Sequence, residues 1–202
     1  MTDAFALLGL ERRPWLDPDD VKRRFHERSA PWHPDRHHGA DEDKKAEAQR
    51  IYSDLNAAHQ RLLEPKERLL HLIELERGEK PKDIQRIPPG TMDLFVEVGQ
   101  ACRDCDEFLQ RRGTSTSPML RLKSLQEGLE WDGRIEDIMG RVRSREFALL
   151  EELRGMDAAW QADSGQGRPG CMERLEPLYR GFSYVARWLA QLHERRALLA
   201  AG

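Results

Sequence analysis

Apolar residues recur at every third or fourth position along most of the chain, separated by stretches rich in Arg, Glu and Asp. That spacing marks one buried face per helix. The first apolar run predicts a short helix over Asp3–Leu10, stopped near Gly9. Asp17 followed by Pro18 supplies a cap and a first-turn proline, so a second helix opens there. It turns Val21 and Phe25 inward and ends by Pro31, whose ring and missing N–H oppose continuation. Residues 33–39 read as a loop. A long third helix, from about Asp41 to Leu63, places Ile51, Leu55, Ala58 and Leu62 on one face. A fourth, Lys66 to Arg77, carries Leu69, Leu70, Leu72 and Ile73.

The pattern then changes. Residues 78–90 hold Pro81, Pro88 and Pro89 among charged side chains and read as a linker. Beyond it, Phe95, Val98, Cys102, Cys105 and Leu109 follow a 3-4-3-4 spacing, a coiled-coil-like seam. Residues 113–117 predict a turn. A helical stretch from Pro118 to about Trp160 carries Leu122, Leu125 and Leu129, then Ile135, Ile138, Val142, Leu149, Leu153 and Met156. Gly128, Gly133 and Gly140 predict a bend or break within it. A Gly-rich loop over 164–170 precedes a last amphipathic helix, Met172–Leu199. Val, Ile and Thr total only 15 residues and form no alternating run, so strands have no support. The expected class is all-α, with a helical hairpin over 1–77, a linker over 78–90 and an antiparallel three-helix bundle over 91–202.

Composition narrows the function. Of 202 residues, 39% are hydrophobic and 34% charged, which suits thin helical cores with much exposed polar face. The net charge of -3 lacks the basic excess of a general nucleic-acid binder. The longest apolar run, Ala4–Leu10, is far short of a membrane span, and no basic segment precedes it, so neither a membrane helix nor a secretory signal is expected. Three cysteines do not make a disulfide framework. A reducing, cytoplasmic location is the expectation.

One motif stands out between the second and third helices, His33-Pro34-Asp35. A helix bearing Lys22, Arg23, Arg24 and Arg28 precedes it, and a long helix follows. This arrangement resembles the J-domain of DnaJ-type co-chaperones. The run Asp3-Ala4-Phe5-Ala6-Leu7-Leu8-Gly9-Leu10, then Leu16-Asp17, Phe25 and Trp32-His33-Pro34-Asp35, is similar to one branch, the HscB-type iron–sulfur co-chaperones. Leu55-Asn56-Ala57-Ala58 and Glu64-Pro65-Lys66-Glu67-Arg68-Leu69-Leu70 resemble that family's third and fourth helices, and its C-terminal domain is a three-helix bundle. The resemblance is strongest over residues 3–75 and architectural afterwards. It departs from the family pattern at Arg28, where an apolar residue is usual, and at Pro31.

The chemistry of the motif suits docking. Pro34 fixes the backbone, Asp35 offers a carboxylate to a partner arginine, and the preceding cations steer toward an acidic surface. What the resemblance implies is a partner ATPase of the DnaK/HscA type, docked through His33, Pro34 and Asp35 with Lys22, Arg23, Arg24, Arg28 and Arg36. The chain would stimulate that ATPase and perform no chemistry itself. The resemblance also implies an IscU-type iron–sulfur scaffold as client. The matching patch falls on Phe95, Val96, Gly99, Gln100, Arg103 and Glu107, with Phe182 (or Tyr184) from the last helix. Gly99, Gln100 and Arg103 fit poorly where apolar and acidic groups are expected, which leaves a J-domain with an unrelated client as an alternative. A structural adaptor with a degenerate J-domain is another, and a homodimer through the bundle is left open.

Cys102 and Cys105 form a C-x-x-C pair, which raises a thiol or zinc enzyme as a competing reading. Cys171 stands alone and structural zinc wants four ligands. Both thiols sit at seam positions, where core packing is expected. No metal and no cofactor are predicted. His37 and His38 read as part of a solvated loop, and Trp131, Trp160 and Trp188 as core or interface anchors.

Overall fold

The structure is a computed structural model and describes residues 2–81, 90–112, 118–163 and 168–201. The described residues form α-helices and short 3-10 turns, with no strand among them. Residues 82–89 of the linker expected over 78–90, the turn expected over 113–117, and residues 164–167 of the expected Gly-rich loop lie outside the described residues.

Local chemistry sets the ends of the first four helices. Helix α1 (Ala4–Leu8) is capped by Asp3, whose carboxylate accepts from the N–H groups of Phe5 and Ala6, and it stops at Gly9 in the left-handed region. Helix α2 (Pro18–Ser29) is capped by Asp17 and buries Val21 and Phe25. Pro31 ends it as expected, within a 3-10 turn over Ala30–Trp32. The residues read as a loop include a second 3-10 turn, Pro34–His37, because Pro34 supplies the φ of a first helical position and the His33 ring caps the turn. Helix α3 (Glu42–Leu63) starts at the Asp41 cap. Helix α4 (Pro65–Arg77) has Pro65 in its first turn and ends at the left-handed Gly78. Helices α5 (Met92–Arg112), α6 (Pro118–Ala162) and α7 (Pro169–Ala200) complete the chain. Gly128, Gly133 and Gly140 do not break α6, which continues through all three.

The chain divides into two compact units. One comprises Met1–Asp83 with Glu151–Tyr179, the other Ile84–Leu150 with Arg180–Gly202. In the first, Phe5, Leu8, Val21, Leu62, Leu69, Leu72 and Ile73 are fully buried, each worth about 1.5–3 kcal/mol relative to exposure. Arg68 is buried among them, 2% exposed, and donates to the carbonyls of Pro14 (2.9 Å) and Leu62 (2.6 Å). Burial lowers its pKa to about 10 against the opposing pull of the Glu64 carboxylate, and the Leu62 carbonyl it bonds belongs to the negative end of α3. The segment joining α1 to α2 is also held by the end of α6. Trp160, fully buried, donates its indole N–H to the Arg12 carbonyl at 2.8 Å; Asp157 accepts from Arg13, and Arg154 lies 4.6 Å over the Trp15 ring.

In the second unit, ion pairs give the register. Arg111 meets Glu127 and Arg141 meets Glu97, so α5 and α6 run antiparallel. Arg196 meets Asp132, and Gly181 abuts Leu149, so α6 and α7 do too. Arg195 meets Asp106 and Arg112 caps the Leu198 and Leu199 carbonyls, so α7 runs parallel to α5. This is the up-down-up order of a three-helix bundle. The buried stripe on α5 keeps Val98, Cys102 and Cys105 of the expected seam but has Ala101 and Phe108 in place of Phe95 and Leu109. A helix facing two neighbours needs a wider stripe than a two-helix seam, and its centre moves toward Ala101. Phe95 falls off the edge at 42% exposed, and Leu109 is only half-buried. Leu122, Leu125 and Leu129, expected along the apolar face of α6, are exposed. They lie at or before the level of Arg112, where α5 ends.

Candidate functional site

The turn between α2 and α3 is built outward from an aromatic base. Tyr52 on α3 and His33 make a T-shaped ring contact, 5.4 Å between centroids and 82° between planes. Phe25 on α2 stacks on His59 of α3 at 4.4 Å, fixing the two helices beneath the turn. His33 Nδ1 accepts from the Asp35 backbone N–H at 3.3 Å, and the Arg36 N–H donates to the His33 carbonyl at 2.9 Å. Trp32 stacks on His37, whose Nε2 meets the Pro31 carbonyl at 2.9 Å. His33, Pro34, Asp35 and Arg36 are all exposed. The Asp35 side chain is 89% exposed, and its nearest ionisable neighbour is His33 Nδ1 at 3.5 Å. A carboxylate is thus presented to solvent on a turn with few torsions left to freeze.

The cations behind the turn are differently placed. Lys22 reaches Asp19 at 3.5 Å. Arg23 pairs with Asp20 and, at 3.1 Å, with Glu27. Arg24 lies 4.0 Å from Asp20 and 3.9 Å from Glu27. The acids were absent from the docking set read off the sequence, although their i,i+3 and i,i+4 spacing carried the signal. Arg28, assigned to docking, lays its guanidinium over the end of α1, where a Cβ on Gly9 would come within 2.5 Å of its Nη2. Its place in the structure is to cover that left-handed glycine.

On α5 the residues assigned to a client separate into two groups. Phe95 and Val96 are exposed, 42% and 57%, and adjoin Met92, also exposed and missed in the sequence. Gln100 donates to Asp104 at 2.5 Å and accepts from Arg103 at 2.7 Å, while Arg103 covers Gly99 at 3.5 Å from its would-be Cβ. Glu107 is exposed. Phe182 does not join this surface. It is 3% exposed, one of the core positions with Val185 that turn α7 inward, and Tyr184 beside it is half-buried.

Cys102 and Cys105 are buried in the same helix. Burial pushes both thiols up, Cys105 to about 11, which keeps them protonated at neutral pH. Among the described residues no group of three or more His, Cys, Asp and Glu is placed to hold a metal ion. Nor is any helix among them long and apolar enough to cross a membrane.

No protein-family model matches the chain. The chaperone protein DnaJ of Thermoplasma volcanium is 32% identical over 69 residues, covering 34% of this chain and 17% of that relative. Only a small part of the relative's length is therefore represented here. Human co-chaperone protein HscB matches in structure with a TM-score of 0.57 at 19% identity, over 93% of this chain and 80% of that one. Chaperone HscB from Vibrio cholerae gives a TM-score of 0.46 at 19% identity, over 95% of this chain and 99% of that one. The likeness to the human structure shows the fold: a helical hairpin bearing an exposed turn, followed in the chain by a three-helix bundle.

Proposed function

We propose that this chain is a J-domain co-chaperone that docks on a DnaK/HscA-type ATPase through His33-Pro34-Asp35 and presents a client held on its bundle. The observation that carries this reading is the Asp35 carboxylate, 89% exposed on a turn fixed by His33, Tyr52 and Pro34. A docking group that is already ordered loses little entropy on binding. A charge-assisted pair with a partner arginine would supply directional strength. The chain supplies no reacting group; it favours the hydrolysis-competent state of the partner by binding that state more tightly. Single-turnover ATP hydrolysis by the organism's own chaperones of this class tests the docking step. Stimulation by the wild type that disappears with Asp35→Asn supports it, and equal rates with and without the protein would refute it.

For the client, an IscU-type iron–sulfur scaffold is the proposal that the HscB-like fold favours. Met92, Phe95 and Val96 supply an exposed apolar contact on α5, the element that bears the client in the resembling family. The alternative of an unrelated client is favoured by the polar pairing at Gln100, Arg103 and Asp104 and by the burial of Phe182. Recovery of the scaffold by the wild type and its loss with Val96→Asp decides between them. A thiol enzyme at Cys102 and Cys105 is disfavoured by their burial and raised pKa values.

A further inference from the structure

The segment that carries the docking turn has no net charge. Between Asp17 and Arg36, five Lys and Arg residues face five Asp and Glu residues, five minus five being zero. The cancellation is local as well as arithmetical. Asp20 and Glu27 bracket Arg23, which bonds to both, and the same two carboxylates flank Arg24 at 4.0 and 3.9 Å. Glu27 and Asp20 raise the pKa of Arg23 further, in that order. The side chains remain 37–56% exposed, so the pairs are open to exchange with an incoming partner. Long-range steering depends on the summed charge seen beyond a Debye length of about 10 Å at 0.1 M salt, and here it is close to nothing.

Resting on the docking reading above, we propose that Asp20 and Glu27 are built-in competitors for the docking cations of α2, holding association with an acidic chaperone surface slow and nearly independent of salt. The partner's carboxylates must displace those of the helix itself. Specificity then lies with the Asp35 turn, which is not masked, and the helix becomes a strong electrostatic attractor only when its acids are removed. These two acids are rate-setting residues of the interface without touching the partner.

The test is the association rate constant for the ATP-bound chaperone, measured by stopped flow at 25 and 300 mM salt. For the wild type it should change by less than about twofold between the two. Asp20→Asn with Glu27→Gln should raise it about three- to tenfold at 25 mM and converge on the wild type at 300 mM. Circular dichroism establishes that the variant is folded. The charge-preserving pair Asp20→Glu with Glu27→Asp should behave as wild type. Glu130→Gln with Asp137→Asn, which changes the whole-chain charge equally on the bundle helices, should leave the rate unchanged. If wild type docks, Asp35→Asn abolishes docking and the neutralised variant is no faster, the competitor role is wrong while the docking reading stands. Equal acceleration by the bundle control would also overturn it, since a global charge effect would then suffice. Failure of every variant and of the wild type to bind would overturn both.

Discussion

The turn at 33–36 and the outward face of α5 are both exposed, but they are made for different kinds of contact. The turn is a polar point on a stiff mount: Pro34 and the His33 ring fix the backbone, Tyr52 supports it, and one carboxylate is offered. The α5 face is the reverse, with apolar Met92, Phe95 and Val96 next to side chains that satisfy one another at Gln100, Arg103 and Asp104. A directional charged contact is lost by changing one atom type. An area-based contact is diluted gradually, because its energy is spread over many weak atom pairs. The difference teaches that the two proposed tasks, engaging an ATPase and holding a client, should fail in separate and recognisable ways.

Five substitutions sharpen that contrast, in descending order of effect. Asp35→Asn should lower chaperone stimulation by at least about tenfold and leave the melting temperature unchanged, since the carboxylate is almost fully exposed. Arg68→Ala should cost about 2–4 kcal/mol in urea denaturation, because two buried carbonyls lose their donor. Val96→Asp should weaken client binding about tenfold in a pull-down titration while altering stability by less than about 0.5 kcal/mol. Gly9→Ala should destabilise by about 1 kcal/mol, from the left-handed backbone and the displaced Arg28 guanidinium.

The last concerns pH. His71 is buried and accepts the Ala4 N–H on Nε2 at 3.0 Å, so it must be neutral to do so. Burial lowers its pKa from 6.5, as it does for His59. A folded pKa below the unfolded one means that the unfolded chain binds more protons. Stability is then complete above about pH 6.5 and falls as the pH drops below it. Unfolding curves at pH 7.5 and 5.5 should differ in that direction, and His71→Gln, which keeps an acceptor, should flatten part of the slope. A wild-type protein equally stable at both values would contradict the assignment.

Much of the helical order was legible because its signals are local. Asp3, Asp17 and Asp41 each cap the helix that follows, and Pro31 and Gly9 each end one. The turn tripeptide was legible because three adjacent residues carry it. What stayed hidden depends on third parties. The burial of Phe182 and exposure of Phe95 depend on two partner helices setting the centre of each buried stripe, which periodicity along one helix does not report. The pairing of Arg23 and Arg24 with Asp20 and Glu27 was present in the spacing, but counting cations alone obscured it. Trp160 looked like an anchor; that its indole holds the Arg12 carbonyl, 148 residues away, is a tertiary fact.

On the proposed reading, one chain couples an ATPase to a client through these two surfaces. Single-turnover ATP hydrolysis by the chaperone, with this protein and an IscU-type scaffold present together, tests it most directly. Stimulation by the protein alone and a further increment from the scaffold are expected. Asp35→Asn should remove both, and Val96→Asp should remove only the increment. Stimulation that survives Asp35→Asn, or an increment that survives Val96→Asp, would contradict it.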